Sequence, residues 1–296
     1  MAVAALPVTD RFHEVLDRLS SKSIEDYYNP YLRFDWPDRL DENRMWMSPD
    51  LLTPYGTPHF DELGEETLIR LSKWESINFY SLNVHGIREL LLEVVARIHM
   101  PGFEVPSDFF HHFIGEENEH MWFFAEFCRR YGDKIYSSTA MRAGAGWEPE
   151  VENFLVFARV LFFEELVDHY NSRMARDDSL CDTIRQVNRI HHQDESRHIA
   201  FGRELVSLLF TRMCEVVDES RRAEVEAYLK RYVVYSINSL YNPHVYRDAG
   251  VPDPLALRNA LLADERRRPI ERTVIRKPLS FFRKTGIFTD DALPTV

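Results

Sequence analysis

Residues 182–217 read DTIRQVNRIHHQDESRHIAFGRELVSLLFTRMCEVV, and the spacing within this run decides the fold. At about 100° per residue, Asp182, Arg185, Arg189, Arg203 and Glu204 mark one side of a helix. His191, Glu195 and His198 lie within about 60° of one another on the far side, while His192 turns toward solvent. An ionised carboxylate is almost never buried without a partner. A Glu-x-x-His step on the inward face therefore asks for a cation, which an i, i+3 pair can hold between a carboxylate oxygen and an imidazole nitrogen.

A second such step, Glu117-Asn-Glu-His120, sits on a helical segment that Ser107 can cap and Gly132 ends. Asp108, Glu119, Glu126, Arg129 and Arg130 occupy one side of it; Glu117 lies opposite, with His120 about 60° away among Phe113 and Phe124. A further helix starts near Pro149 and stops near Asp177-Asp178. Arg159, Arg173 and Arg176 mark its outer side, Glu165 turns toward them, and Glu164 faces away. With 12 histidines, about one Glu-x-x-His is expected by chance, so the shared inward face, not the count, carries the argument.

The first long helix spreads from about Asp61 to Met100, with a bend expected near Gly86. Ser179 can cap the 182–217 helix, and a fifth follows over 219–241. Thr9 can cap a short helix through Ser20, and the prolines after Asn242 leave room for one short helix over 254–264. The layout predicts an all-α, up-down helical bundle at 61–241. A helix and wrapping arm (1–60) precede it, and a C-terminal extension (242–296) packs on it.

Depth along the helices adds a second criterion. If the first hairpin turns near residue 103, Glu117 and His120 lie about 14 to 16 residues beyond it and Glu89 about as far before it. Glu75 would be displaced by about 20 Å and drops out, whereas Glu93, about 5 Å off, stays as runner-up to Glu89. Around a second turn at Asp178, Glu164 and His191 to His198 fall at matching depth. The candidate set is Glu89, Glu117, His120, Glu164, His191, Glu195 and His198. Four carboxylates and three imidazoles suit two iron ions, with manganese an option at one position, better than tetrahedral zinc. Asp168, Asp182 and Asp194 are candidate acceptors for the outer ring nitrogens.

Composition narrows the function further. Lys+Arg 36 against Asp+Glu 48 gives a net charge of −12, which repels phosphate backbones and argues against nucleic acid. Cys128, Cys181 and Cys214 are too few and too far apart for a disulfide or zinc framework. No stretch approaches the roughly 20 apolar residues of a membrane span. MAVAALPVTDRF has no basic flank, so a cytoplasmic location is expected. Apolar surface on the fourth and fifth helices suits a homodimer. The run Arg266-Arg267-Arg268 with Arg272, Arg276 and Lys277 offers a docking surface for an acidic electron donor, or equally a solvated tail. The phenylalanines at 109, 110, 123, 124, 157, 162, 163 and 201 read as core first and as a channel lining second.

The run His191-His-Gln-Asp-Glu195-Ser-Arg-His198, with Glu164 and the Glu117–His120 step, resembles the ferritin-like diiron arylamine N-oxygenase family over about residues 80–215. Ferritins, ribonucleotide reductase small subunits and acyl-carrier desaturases share the two Glu-x-x-His steps. The arylamine oxygenases add a third histidine one turn earlier, where His191 stands. The resemblance implies a non-haem diiron enzyme that activates O2, through a diferric-peroxo species, and converts an amine to hydroxylamine and nitro products. It also implies an external electron donor (a ferredoxin and reductase, or a chemical reductant), and it matches Glu89 to the first-helix glutamate. C–H hydroxylation, desaturation or oxidative cleavage of a small or carrier-bound substrate is the alternative within the same chemistry. Non-catalytic iron storage is the alternative outside it.

Overall fold

A computed structural model of the chain describes residues 6, 8–141 and 146–294. Among these residues all regular structure is helical and no strand occurs. Thr9 caps α1 (Asp10–Glu25), its side chain accepting from the Phe12 N–H. After the short α2 (Pro30–Arg33) and a 3-10 turn at Pro49–Leu51 the chain enters the bundle.

Four long helices form the bundle: α3 (Pro58–Val95), α4 (Ser107–Gly132), α5 (Pro149–Ala175) and α6 (Asp182–Val216). The α3–α4 and α5–α6 pairs are antiparallel hairpins with the most extensive packing in the molecule. A helix α7 (Glu219–Asn238) lies against α5, and α1 lies across α4 and α6. The core between the helices is aromatic. Phe109, Phe110, Phe123, Phe124, Phe157, Phe162 and Phe201 are all buried in it, so they are packing residues, while Phe163 is only half-buried.

Local chemistry explains several departures from the sequence reading. The bend in α3 is at Gly64, whose φ of 71° only glycine adopts readily. Gly86 stays helical, and its missing side chain makes room for the Phe163 ring, which a Cβ there would strike. Ser107 does not cap α4. It is the first helical residue, and its hydroxyl accepts from the His99 N–H and donates to the Phe103 carbonyl. Ser179 does not cap α6 either: its hydroxyl donates to Asp177, and Cys181 holds the cap position without a side-chain bond.

The extension holds four helices rather than one: α8 (Pro243–Asp248), α9 (Pro254–Ala263), α10 (Arg267–Val274) and α11 (Arg276–Lys284). Pro243, Pro254, Pro269 and Pro278 stand in first turns instead of breaking helices, because the first-turn N–H groups have no intrahelical acceptor to lose. Of the basic run, Arg267 is buried. It donates to the Tyr241 hydroxyl and to the carbonyls of Leu52 and Tyr55, and so ties the extension to the arm. Arg268, Arg272, Arg276 and Lys277 remain exposed. No helix among the described residues is long and apolar enough to cross a membrane.

Candidate metal centre

Antiparallel packing of α4 against α6 sets Glu117 opposite His198 and His120 opposite Asp194. Glu117, His120, Glu195 and His198 are buried, and one potential ligand atom from each lies within 4.8 Å of all the others. His191, one turn before Glu195, brings its Nε2 to 2.9 Å from a Glu195 oxygen. Glu164 enters from α5, close enough for its carboxyl to bond Glu195 and to feel the charge of Glu117. Six of the seven sequence candidates thus meet in one place. Glu89 is not with them: it is exposed and lines a cleft between α3, α5 and α7. Leucines surround it on α3, which left the inward face of that helix undefined.

The hydrogen bonds around the cluster fix which ring nitrogens face inward. His120 Nε2 donates to Asp194 Oδ2 at 3.1 Å, and His198 Nε2 donates to Glu116 Oε2 at 2.8 Å. A carboxylate only accepts, so these outer nitrogens carry the protons and the inner Nδ1 atoms keep their lone pairs. His191 Nδ1 abuts the Asn171 amide, whose Oδ1 is without a partner. Turning that amide by 180° exchanges two nearly isosteric ends and lets Oδ1 accept from Nδ1–H, which leaves Nε2 free. The inner atoms are then a set of orphans: Nδ1 of His120 and His198, Nε2 of His191, both oxygens of Glu117 and of Glu195, and Oε1 of Glu164. Buried polar atoms are nearly always bonded. Eight orphans converging from six side chains fit two divalent cations.

In the absence of a metal the same carboxylates draw protons to these positions, because they stabilise positive charge there. Burial opposes the charge of His120, but Glu117 and Asp194 outweigh it and raise its pKa to about 10. His198 is raised likewise, by Glu195 and Glu117 against burial. Burial and the charge on Glu195 push Glu164 well above the carboxylate range. Glu195 is held well below it against burial, by His191 and by its bond to Glu164.

The outer layer was less legible. Of the three acceptors considered, Asp194 serves; Asp168 instead pairs with His192, and Asp182 is exposed. Glu116, Asn171 and Tyr28 were missed. Asn171 could have been found, since it stands two turns after Glu164 on one face. Arg197 is buried and donates to Asp194, Glu116 and Asp26. Tyr28, from the arm, donates to Asp194 Oδ2 at 3.1 Å.

A family model described as "P-aminobenzoate N-oxygenase AurF" matches residues 9–286. The chain belongs to the p-aminobenzoate N-oxygenase family. No curated relative matches it. The match includes α1, the arm and most of the extension, well beyond the 80–215 segment that the motifs mark. Membership in a family of diiron N-oxygenases and the buried Glu/His cluster together make this protein an iron-binding oxygenase of an amine-bearing small molecule.

Proposed function

We propose that Glu117, His120, Glu164, His191, Glu195 and His198 hold the two irons and that the chain N-oxygenates an aryl amine at them. The observation that supports this most is the set of eight inward-facing buried atoms without hydrogen-bond partners. When bound, the iron pair supplies O2 activation and electron transfer. The protein's part is to fix three lone pairs and three carboxylates and to keep water out. Phe113 packs on His198 at 4.5 Å and Phe124 on His191 at 4.8 Å, ring centre to ring centre, closing two sides of the cluster with apolar surface.

Oxygen balance requires that one atom of O2 enter an N–H bond and the other leave as water. Two electrons and two protons from an external donor complete the step to hydroxylamine. The aromatic cleft between α3, α5 and α7 is the proposed approach for the substrate. Its outer part has a volume of about 540 Å³. Its inner end is walled by Phe163 and Val167, which flank Glu164 along α5.

The test is iron content after anaerobic reconstitution, followed by reduction, O2 exposure and mass spectrometry of an aryl-amine panel. Two irons per chain with hydroxylamine or nitro products support the reading. Fewer than one tightly bound iron per chain would overturn it.

A further inference from the structure

Donors reach the cluster from α4, α5 and α6, and α3 is the fourth wall of the bundle. Its contacts show which of its residues face inward. Phe79 stacks on Tyr170 at 5.0 Å between ring centres, and Gly86 meets the Phe163 ring, so this stripe of α3 faces α5. Tyr80 reaches across to α6, where its hydroxyl accepts from Asn188 at 2.7 Å. At about 100° per residue, Asn83 lies about 40° from Phe79 and about 60° from Tyr80, between the two directions. It is therefore turned into the bundle. Glu89 falls about 80° beyond Phe79 on the other side, where it stands exposed in the cleft wall.

Depth agrees with rotation. Because α3 and α6 both run antiparallel to α4, they run parallel to each other, and the three-residue step from Tyr80 to Asn83 matches the step from Asn188 to His191. Against α5, the Phe79–Tyr170 and Gly86–Phe163 contacts set Asn83 level with Leu166, two residues after Glu164. Asn83 is 0% exposed. Its Nδ2 donates to the Phe79 carbonyl at 2.8 Å. Only the nitrogen end of an amide can donate to a carbonyl, so this bond fixes which end is which. The oxygen end, Oδ1, has no hydrogen-bond partner. It stands beside the eight orphaned atoms of the cluster as a ninth, and a buried amide oxygen is costly to leave unpaired.

We infer that Asn83 Oδ1 is the donor that α3 supplies to the metal pair. The inference rests on the diiron reading above. The ligand set is then three carboxylates, three imidazoles and one neutral amide oxygen, a donor that suits the harder divalent cations. Because the amide brings no charge, two divalent cations against three carboxylates keep a net positive charge, which a carboxylate at the same position would cancel. Asn83 also lines the inner end of the cleft with Phe163 and Val167. The uncharged donor thus stands on the side from which the substrate is proposed to approach.

Anaerobic titration with Co(II), read by its visible d–d bands and by metal content, tests this directly. Asn83→Leu keeps the volume and removes the oxygen; one of the two sites is expected to weaken at least tenfold, with altered bands. Asn83→Asp keeps the shape and supplies a charge, so the same site is expected to tighten at least tenfold. Two metals bound by a folded Asn83→Leu chain within twofold of the wild-type affinities, with unchanged bands, would overturn the inference. If Asn83→Leu fails to fold by circular dichroism, unchanged affinities and bands in Asn83→Asp would overturn it equally. In either case a wild-type chain that still binds two metals leaves the diiron reading standing. A wild-type chain that binds none refutes that reading, and this inference with it.

Discussion

Replacing Asp194 by asparagine isolates one buried charge that supports the centre without touching it. Asp194 is 3% exposed; one oxygen accepts from His120 and Tyr28, and the other from Arg197. Burial alone would raise its pKa, but the bond from His120 and the charges of His120 and Arg197 hold it down at about 2 against the usual 3.8. That difference corresponds to about 2.5 kcal/mol of favourable interaction with its surroundings. The rise of His120 to about 10 is larger because Glu117 contributes to it as well. A metal on Nδ1 polarises the imidazole much as a proton does, so the same carboxylate strengthens His120 as a ligand. Asp194→Asn keeps the shape and removes the charge; the loss of metal affinity expected for removing such a partner is 10- to 100-fold, and about 2.5 kcal/mol places it near 70-fold. The assay is anaerobic Fe(II) competition against a calibrated chelator, with thermal unfolding to confirm the fold. An affinity within twofold of the wild type would refute the reasoning, since it would mean that His120 needs no charged support.

Two further outcomes follow from the same kind of accounting. Burial raises the pKa of Glu75 to about 7 from 4.5, against the opposing bonds from Thr53 and the charge of Arg267. The folded state therefore binds this proton more tightly than the unfolded chain. Stability is fully present below pH 4.5 and declines as pH rises through 7, by up to about 3 kcal/mol. Glu75→Gln should flatten that part of the stability–pH profile in urea unfolding, and a profile parallel to the wild type would remove Glu75 as its cause. Arg197→Ala leaves Asp194 buried and Glu116 half-buried without their cation, and is expected to cost about 3 kcal/mol in the same assay. A loss below about 0.5 kcal/mol would mean that solvent screens the site as it does a surface pair.

Which parts of this arrangement could be read in the sequence follows from which forces are local. Glu117, His120, Glu164, His191, Glu195 and His198 were placed by helical periodicity alone, because charged residues on the opposite side of α4, α5 and α6 define an outward face. α3 has no such face, and Glu89 was assigned by depth without rotation. It stands exposed in the cleft wall, apart from the other six. Gly64 and Gly86 look alike in one dimension; one bends the chain through a positive φ and the other makes room for Phe163, a contact with a helix far along the sequence. Pro269 and Pro278 read as breakers until their positions within the first turns of α10 and α11 are known. The burial of Arg197 was not legible, because its three acceptors come from the end of α1, from α4 and from its own helix. Only Asp194, one turn before it, is near in sequence.

The bond from Tyr28 to Asp194 spans 166 residues. During synthesis the arm leaves the ribosome first, yet it has nothing to close upon until α6 has been made and docked. Contacts of such long separation form late, after loop closure across the whole bundle. Until the arm settles on α6, Asp194 lacks the Tyr28 hydroxyl that bonds it. An N-terminal truncation that spares every helix of the bundle would therefore still leave Asp194 without its cover.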